Sequence, residues 1–211
     1  MTSLSEQQLV DCDKVDAGCN GGLPSNAYEY IMQAGGIESE SSYPYTAMDG
    51  SCKVDQSKFV AKVSNWTAVS KDEDQIAAFL VEHGPLSIGI NAEWMQFYMG
   101  GVSDPLFCSP SRLDHGVLIT GYGTHNGKPY WSIKNSWGDG WGEKGYYLYV
   151  IEIVCIVLSY SLPYYHLYLL LFLFSFVYLW KCELMLFYFS IIRGKGKCGL
   201  NTMVTSAFVA K

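Results

Sequence analysis

Charged side chains are scarce in this sequence. Only 16% of its 211 residues are Asp, Glu, Lys or Arg and 49% are apolar, so some segment must be more apolar than an average soluble domain. The net charge of −6 and the lack of any Lys/Arg cluster argue against a nucleic-acid-binding surface. No two cysteines have the C-x2-C spacing of a zinc site, and Cys and His do not gather on one hairpin. These absences exclude a zinc centre.

An export signal is also missing at the start of the sequence. Met1 is followed by Thr2 to Glu6, a stretch that is neither basic nor apolar. Asn65-Trp66-Thr67 is nevertheless a glycosylation sequon, which is typical of a secretory route. Five of the seven cysteines lie in polar, Gly-rich or turn-rich segments, as disulfide cysteines often do: Cys12, Cys19, Cys52, Cys108 and Cys198. Because these signs conflict, we expect that the N terminus of the gene product, with its signal and pro-segment, is absent from this sequence.

The hydrophobic pattern predicts helices in the first part and strands in the second. Helices are expected over 5–11, 24–34 and 71–83, the first with Ser5 as N-cap and Gln8 at the capping-box position. Gly-interrupted apolar runs predict strands over 86–90, 117–122, 130–134 and 145–149. Residues 37–58 show little periodicity and are expected to form a loop. The change of character places a domain boundary near Trp66.

A long uncharged segment interrupts this pattern near the C terminus. Residues 153–180 contain no Asp, Glu, Lys or Arg, and the same Phe/Leu/Tyr/Ile bias continues to Arg193. The segment is long enough to cross a bilayer, which takes about 20 residues.

Two short motifs twenty residues apart are the best candidates for chemistry. Leu113-Asp-His-Gly116 opens one apolar run, and Lys134-Asn-Ser-Trp-Gly138 closes the next. A His and an Asn at the edges of adjacent strands are two members of a Cys-His-Asn nucleophilic machine. In this interpretation Asn135 accepts a ring N–H of His115, the other ring nitrogen faces a thiol, and Trp137 shields the pair from water. The remaining histidines are interpreted as ordinary core or surface residues: His83, His125 and His166.

Together these motifs resemble the papain-like cysteine proteases, most closely the cathepsin F-like branch. The resemblance covers Leu4 to Tyr149 and Arg193 to Val209. The stretches that carry it are Leu4-Ser-Glu-Gln-Gln-Leu-Val-Asp-Cys12, Gly18-Cys-Asn-Gly-Gly22, Tyr43-Pro-Tyr45, Leu113-Asp-His-Gly-Val-Leu118, Gly121-Tyr-Gly123, Lys134-Asn-Ser-Trp-Gly138, Trp141-Gly142 and Cys198-Gly-Leu-Asn-Thr-Met203.

The resemblance implies an α+β, papain-like fold with a helical left domain and a β-barrel-like right domain. It assigns residues 1–66 to an incomplete left domain, and residues 67–149 and 193–211 to the right domain. It makes His115 the catalytic base and Asn135 its orienting partner. It also implies a substrate cleft. The cleft wall that pairs with extended peptide is formed by Gly21 and Gly22. An apolar pocket is lined by Leu23, Pro24, Gly89, Gly116 and Met203, and the primed side is bordered by Trp137 and Trp141. The implied disulfides are Cys12–Cys52 and Cys108–Cys198.

The nucleophilic cysteine is the first departure from the family pattern. The family carries a Cys-Gly-Ser/Ala-Cys-Trp/Tyr signature about 130–150 residues before its His. His115 therefore places the nucleophile about 15–35 residues before Met1, together with the oxyanion-hole Gln. Cys19 would lose its partner and become a free thiol. We expect the chain as it stands to be inactive.

The apolar block over 150–192 is the second departure. Removing it rejoins Tyr149 to the Arg193-Gly-Lys-Gly turn, and valine codons begin with GT, the usual first bases of an intron. We interpret the block as a translated intron or a gene-model error. The alternatives are a transmembrane helix over 153–180 and an extra core helix.

Three functions remain open at this point. The first is a cysteine endopeptidase that acts on extended peptides, without metal or organic cofactor, in a lysosomal or secreted setting. Its family would also imply cystatin-like or propeptide inhibitors as partners, and no nucleic acid. The second is a non-catalytic relative that binds peptides or inhibitors through the cleft. The third is a membrane-anchored protein, which requires that the 153–180 segment is genuine.

Overall fold

A seven-stranded sheet organises most of this protein. The computed structural model describes residues 2–150, 153–154, 192–193 and 197–210. Three α-helices are described, α1 (Glu6–Cys12), α2 (Pro24–Ala34) and α3 (Glu73–His83). The strands are β1 (Ile37–Glu38), β2 (Phe59–Ala61), β3 (Val63–Ala68), β4 (Leu86–Ile90), β5 (Val102–Ser103), β6 (His115–His125), β7 (Lys128–Lys134), β8 (Tyr146–Val150), β9 (Ile153–Val154), β10 (Ile192–Arg193) and β11 (Val204–Val209).

The order of strands in the large sheet is β3-β11-β4-β6-β7-β8-β5, and β1 and β2 form a small antiparallel pair. This mixture of helices and mainly antiparallel strands is the α+β class that the sequence predicts. Closure into a barrel stays a prediction, because β3 and β5 end the described sheet without pairing with each other.

The chain divides into two compact units. One contains residues 1–151 and 195–211, and the other contains residues 152–194. In the second unit, the described residues form an antiparallel pair of short strands, with Val154 opposite Ile192 and Ile153 opposite Arg193. The rest of the predicted apolar segment lies outside the described residues. Within the described ranges, no helix is long and apolar enough to span a membrane.

The ends of the helices follow local capping rules, with one exception. Ser5 caps α1, as predicted, because its Oγ accepts the Gln8 N–H at 3.0 Å. The predicted capping box is wrong, however, since the Gln8 side chain does not accept the backbone N–H of Ser5. It donates to the Gly36 carbonyl at 3.2 Å and accepts the Glu38 N–H at 2.8 Å, while the Ser5 N–H donates to the Glu38 carbonyl at 3.0 Å. Partners on β1 replace the local bond.

Helix α3 and the sheet enclose the main apolar core. Ile76 and Leu80 face inward from α3, as the helical periodicity predicts, and pack against fully buried strand residues: Leu86, Ile88, Ile90, Ile119, Trp131 and Ile133. The helix begins at Glu73 because the Asp72 carboxylate caps it, accepting the N–H groups of Asp74 and Gln75. It ends before Gly84, whose φ of 86° is favourable for glycine.

Both implied disulfides form, Cys12–Cys52 and Cys108–Cys198. The first closes a separation of 40 residues, which is worth roughly 4 kcal/mol in the chain-entropy picture. It ties the predicted loop over 37–58 to α1. The second joins the loop before β6 to the segment before β11.

A buried carboxylate also organises the 37–58 loop. Asp11 is only 5% exposed, and it accepts hydrogen bonds from Gln7 Nε2 at 2.8 Å, Tyr43 Oη at 2.7 Å and the Gly50 N–H at 2.8 Å. Burial alone would raise the pKa of Asp11. The three hydrogen bonds and the nearby Lys14 ammonium outweigh burial, so the pKa lies below its ordinary value.

Replacing Asp11 with Asn tests this anchor. In Asn, an NH2 group that cannot accept a hydrogen bond replaces one carboxylate oxygen, so the three donors are no longer all satisfied. We therefore expect the free energy of unfolding at pH 7 to fall by about 1–3 kcal/mol. A lowered pKa stabilises the fold above the unfolded value of about 3.9, and that stabilisation is lost as the pH falls through the folded value. The difference between wild type and variant, measured by denaturant unfolding at pH 7 and pH 3, should therefore shrink in acid. Exposed Asp139→Asn is the control and should change stability by less than about 0.5 kcal/mol; an Asp11→Asn difference that is equal at both pH values contradicts this account.

Candidate active site

The structure brings His115 and Asn135 together through the pairing of two strands. His115 is the first residue of β6, and Asn135 directly follows β7. The two strands are antiparallel, with Leu118 opposite Lys134, so the end of β7 lies beside the start of β6. The His115 Nε2 and Asn135 Oδ1 atoms are 2.8 Å apart. The predicted pair is therefore within hydrogen-bonding distance.

A second donor fixes the roles of the two side chains. Asn135 Oδ1 also accepts the Ser136 N–H at 2.7 Å, and a backbone N–H can only donate. This atom must therefore be the carboxamide oxygen, and His115 Nε2 must carry the proton that it donates. The neutral ring then has its lone pair on Nδ1, where it can accept a proton from another group.

Two tryptophans lie on the side of the His115 ring, one behind the other. The Trp137 ring stacks on the His115 imidazole, with centroids 5.1 Å apart and planes 30° apart. Trp141 meets Trp137 edge-on at 5.0 Å, and Tyr98 packs against Trp141 at 5.6 Å. Asn135 is 8% exposed. That Trp137 shields the pair from water, which would strengthen the hydrogen bond, stays a prediction.

Backbone hydrogen bonds hold the loop that carries these groups. The Asn135 N–H donates to the Gly145 carbonyl at 3.0 Å, and the Gly145 N–H donates to the Trp141 carbonyl at 2.7 Å. Gly145 has a φ of 87°, which explains a glycine at this turn. Gly145 therefore connects Asn135 and Trp141 through its backbone, on either side of Trp137 in the loop.

An open groove of about 520 Å³ lies beside His115 and Trp137. Its other lining residues are Ala92, Glu93, Gln96 and Asp114. The Asp114 carboxylate accepts the Ala92 N–H at 2.8 Å. This bond connects the segment after β4 to the residue before β6. Sequence reasoning missed Ala92, Glu93 and Gln96, because they follow β4 and nothing local relates them to a histidine about twenty residues later.

Three of the predicted pocket residues, Gly89, Gly116 and Met203, lie close together where β4 pairs with the start of β6. Gly89 lies opposite Gly116 in the β4–β6 pairing, and its N–H donates to the Met203 carbonyl at 3.2 Å. A Cβ atom at Gly89 would be 2.5 Å from Met203 Cε and 3.1 Å from Leu113 Cδ1. A larger residue at position 89 would therefore require the Met203 and Leu113 side chains to shift. Leu113 was named in the sequence motif but not predicted as a pocket residue.

The remaining predicted cleft residues lie before and at the start of α2. Gly21, with a φ of 113°, ends a short 3-10 turn, and Leu23 and Pro24 are the N-cap and first residue of α2. Leu23 is 47% exposed. Helix α2 touches the large sheet where Tyr28 Oη lies 2.6 Å from Ser87 Oγ. The part that Gly21, Gly22, Leu23 and Pro24 play in a substrate cleft stays a prediction.

The thiols of the described residues do not have the character of an activated nucleophile. Four described cysteines form disulfides, and Cys19 is free and exposed. Desolvation raises the pKa of the Cys19 thiol, and the Asp49 carboxylate adds to this effect. A raised pKa lowers the thiolate fraction, which is the reactive form. Cys155 and Cys182 lie outside the described residues. Across the part of the chain that the structure describes, no three His, Cys, Asp or Glu side chains group as a metal site.

An imidazole held by a carboxamide and stacked against tryptophan, beside a groove on an α+β fold, is the arrangement that the sequence motifs predict for the His and Asn of a Cys-His-Asn site. Comparison with known families agrees: residues 1–161 match the family described as "Papain family cysteine protease". The chain belongs to this family, as the sequence motifs predict.

Individual relatives support the same assignment. The chain is 58% identical over 163 residues to "Cysteine proteinase 15A" of Pisum sativum, a match covering 70% of this chain and 45% of the pea protein. It is 40% identical over 211 residues to "Cathepsin F" of Mus musculus, covering 99% of this chain and 37% of the mouse protein. The chain thus spans less than half the length of these relatives.

A solved structure confirms the fold. The "Structure of digestive procathepsin L 3 of Tenebrio molitor larval midgut" superposes with a TM-score of 0.74 at 35% identity, covering 98% of this chain and 55% of that one.

Removing the aromatic cover should expose the His115–Asn135 hydrogen bond. In Trp137→Ala, we expect the His115 Nε2 proton to exchange with water about tenfold faster or more, because the bond loses its shield from solvent. Exchange is measured by NMR on protein labelled with ¹⁵N-histidine. Trp94→Ala is a matched control, since Trp94 is 43% exposed against 41% for Trp137 but packs against Phe97. Equal exchange rates in the two variants would show that Trp137 does not shield the pair.

Proposed function

We propose that this chain carries the catalytic base and the apolar pocket of a cysteine endopeptidase that hydrolyses peptide bonds in extended polypeptides. The observation that carries the proposal is the 2.8 Å hydrogen bond between His115 Nε2 and Asn135 Oδ1. Membership of the papain family supports the peptidase class. The apolar wall around Gly89, formed by Leu113 and Met203, favours a Leu, Val or Phe side chain of the substrate.

In this mechanism, His115 Nδ1 takes the proton of a cysteine thiol, because Nε2 is already engaged by Asn135. The thiolate attacks the carbonyl carbon of the substrate, the C–N bond breaks, and the imidazolium gives its proton to the departing amine. Water then hydrolyses the thioester with His115 as the base. Asn135 holds the ring in the same tautomer through both steps.

We also propose that the 211-residue chain by itself does not hydrolyse peptides. Cys12, Cys52, Cys108 and Cys198 are held in disulfides, and the raised pKa of Cys19 disfavours its thiolate. The nucleophile in this proposal belongs to a Cys-Gly-Ser-Cys-Trp-like stretch ahead of His115. A non-catalytic protein that binds peptides or inhibitors through the same groove is the alternative.

An active-site label separates these cases. We expect a peptidyl vinyl sulfone, which alkylates activated cysteine thiols, to leave the chain unlabelled. An extended version, with a Gln and a Cys-Gly-Ser-Cys-Trp stretch about 130–150 residues before His115, should label and cleave a peptide with Leu in the apolar pocket. His115→Ala in the extended version should lose about 10³-fold or more in kcat/KM. Stoichiometric labelling of the unextended chain would contradict its proposed inactivity, and an inert extended version that is folded would favour the binding protein.

Location and partners follow from the same proposal. Two disulfides suit an oxidising lysosomal or secreted setting. The expected partners are extended polypeptide substrates, with propeptide or cystatin-like chains as inhibitors of the groove.

We further propose that residues 150–192 are not part of the functional protein but a translated intron, and that 1–66 and 67–149 with 193–211 are its two domains. Strand β8 ends at Val150, and the Cys108–Cys198 disulfide and β11 hold the segment after the block against the large sheet. A genuine transmembrane segment is the alternative, and it would place the chain in a membrane.

Deletion of residues 150–192 tests this proposal. We expect the shortened chain to be soluble, to form the Cys108–Cys198 disulfide and to unfold cooperatively, because β8 before the block and Cys198 and β11 after it have partners elsewhere in the large sheet and at Cys108. Sequencing of mature transcripts across Tyr149 and Arg193 should show the short junction. Transcripts that retain the block, together with a full chain that stays in carbonate-washed membranes, would instead establish a transmembrane segment.

A further inference from the structure

The free edge of the large sheet has a feature that the proposed function does not use. Strand β3 stands at the end of the sheet order, and among the described residues it pairs with β11 alone. Unpaired backbone groups on such an edge are a template for pairing with another chain. Exposed valines nearby add to this tendency, since Val209 is 67% exposed and Val60 is 51% exposed.

The register identifies which backbone groups of β3 face outward. The Val69 N–H donates to the Val204 carbonyl at 2.8 Å, and Thr67 and Asn65 lie opposite Ser206 and Phe208. Hydrogen-bonded positions alternate along an antiparallel pair. Residues 69, 67 and 65 therefore bond to β11, and the N–H and C=O groups of Trp66 and Ala68 point to the open side.

Side chains of the neighbouring residues already satisfy two of these four outward groups. Asn65 Oδ1 accepts the Trp66 N–H at 2.8 Å. Thr67 Oγ1 donates to the Ala68 carbonyl at 3.3 Å. Asn65 and Thr67 are the first and third residues of Asn65-Trp66-Thr67, the only Asn-x-Ser/Thr sequon in the sequence. The same two side chains thus cap the edge and form the acceptor motif for N-linked glycosylation.

The environment of Asn65 suits modification of its nitrogen. Asn65 is exposed, and its oxygen is the atom engaged with Trp66, so Nδ2 is left free to react. The middle residue is anchored on the opposite face of the strand, because Trp66 Nε1 donates to Glu29 Oε1 on α2 at 2.6 Å. Side chains alternate along a strand, so Asn65 projects on the face away from α2.

We propose that Asn65 carries an N-linked oligosaccharide, and that this oligosaccharide shields the free edge of β3 from pairing with other chains. The donor class is an oligosaccharide linked to a lipid diphosphate. Asn65 Nδ2 bonds to the anomeric carbon, the bond from that carbon to the diphosphate oxygen breaks, the lipid diphosphate leaves, and Nδ2 loses one proton. Oδ1 remains an acceptor, so the cap on the Trp66 N–H survives the modification. This proposal is independent of the peptidase activity.

Expression of the full chain through a eukaryotic secretory pathway tests the modification. Wild type and Thr67→Ser, which keeps both the sequon and the hydroxyl cap, should show an added mass that an endoglycosidase removes. Asn65→Asp, which keeps the oxygen acceptor, and Thr67→Ala should show none. Intact-protein mass spectrometry reads the result. An unmodified wild type that is folded and secreted would overturn the assignment of Asn65.

Trimming the folded glycoprotein tests the shielding separately, without a variant that has to fold. Endoglycosidase H removes most of the oligosaccharide under native conditions, and sedimentation velocity then reports self-association before and after. We expect the association constant to rise about tenfold or more on trimming, equivalent to about 1.4 kcal/mol. Asn65→Asp should match the trimmed protein. A glycosylated protein whose self-association is unchanged by trimming would overturn the shielding role.

Discussion

The register between β6 and β7 is the constraint on which the site depends. It sets the end of β7 beside the start of β6, so the carboxamide of Asn135 reaches the ring of His115. A slip of one residue would reverse the face of every side chain on the strand. Strand β4 fixes the other side of β6, with Ile90 opposite His115 and Gly89 opposite Gly116. Strand β6 thus takes part in both arrangements, pairing with β7 at the His115–Asn135 contact and with β4 at Gly89.

The two halves of the first unit are held by different physical means. The part containing α3 and the sheet buries an apolar core whose central isoleucines are fully inaccessible. The part containing α1 buries few large apolar side chains and depends on polar anchors, among them Asp11, Gln8 and the Cys12–Cys52 disulfide. Buried polar groups of this kind are stable only when their hydrogen bonds are satisfied. Acid is therefore expected to weaken the α1 part before the sheet.

Elements with local signals were predictable, and those defined by distant partners were not. Helix α2 has the predicted bounds because Pro24 and Gly35 mark its ends in the sequence, and the His115–Asn135 pair was found because both residues belong to recognisable motifs. Strands β3 and β11 were missed because each is defined by a partner more than one hundred residues away. Ala92 and Gln96 were missed because no local pattern relates them to His115, and only the pairing of β4 with β6 brings that part of the chain to the site. The capping-box prediction for Gln8 was wrong because its side chain bonds to backbone groups of Gly36 and Glu38, at and next to β1, rather than to the start of its own helix.

The proposed mechanism depends most directly on which nitrogen of the His115 ring carries the proton. If Asn135 Oδ1 accepts from His115 Nε2, the neutral ring must carry its proton on Nε2 and leave Nδ1 as the basic nitrogen. Long-range ¹H–¹⁵N NMR of ¹⁵N-histidine-labelled protein distinguishes the two tautomers, and Asn135→Ala supplies the reference without the acceptor. We predict an almost pure Nε2–H tautomer in the wild type and a mixture in Asn135→Ala. A proton on Nδ1 in the wild type, or identical spectra for the two proteins, would contradict the proposal that Asn135 sets the base for thiol activation.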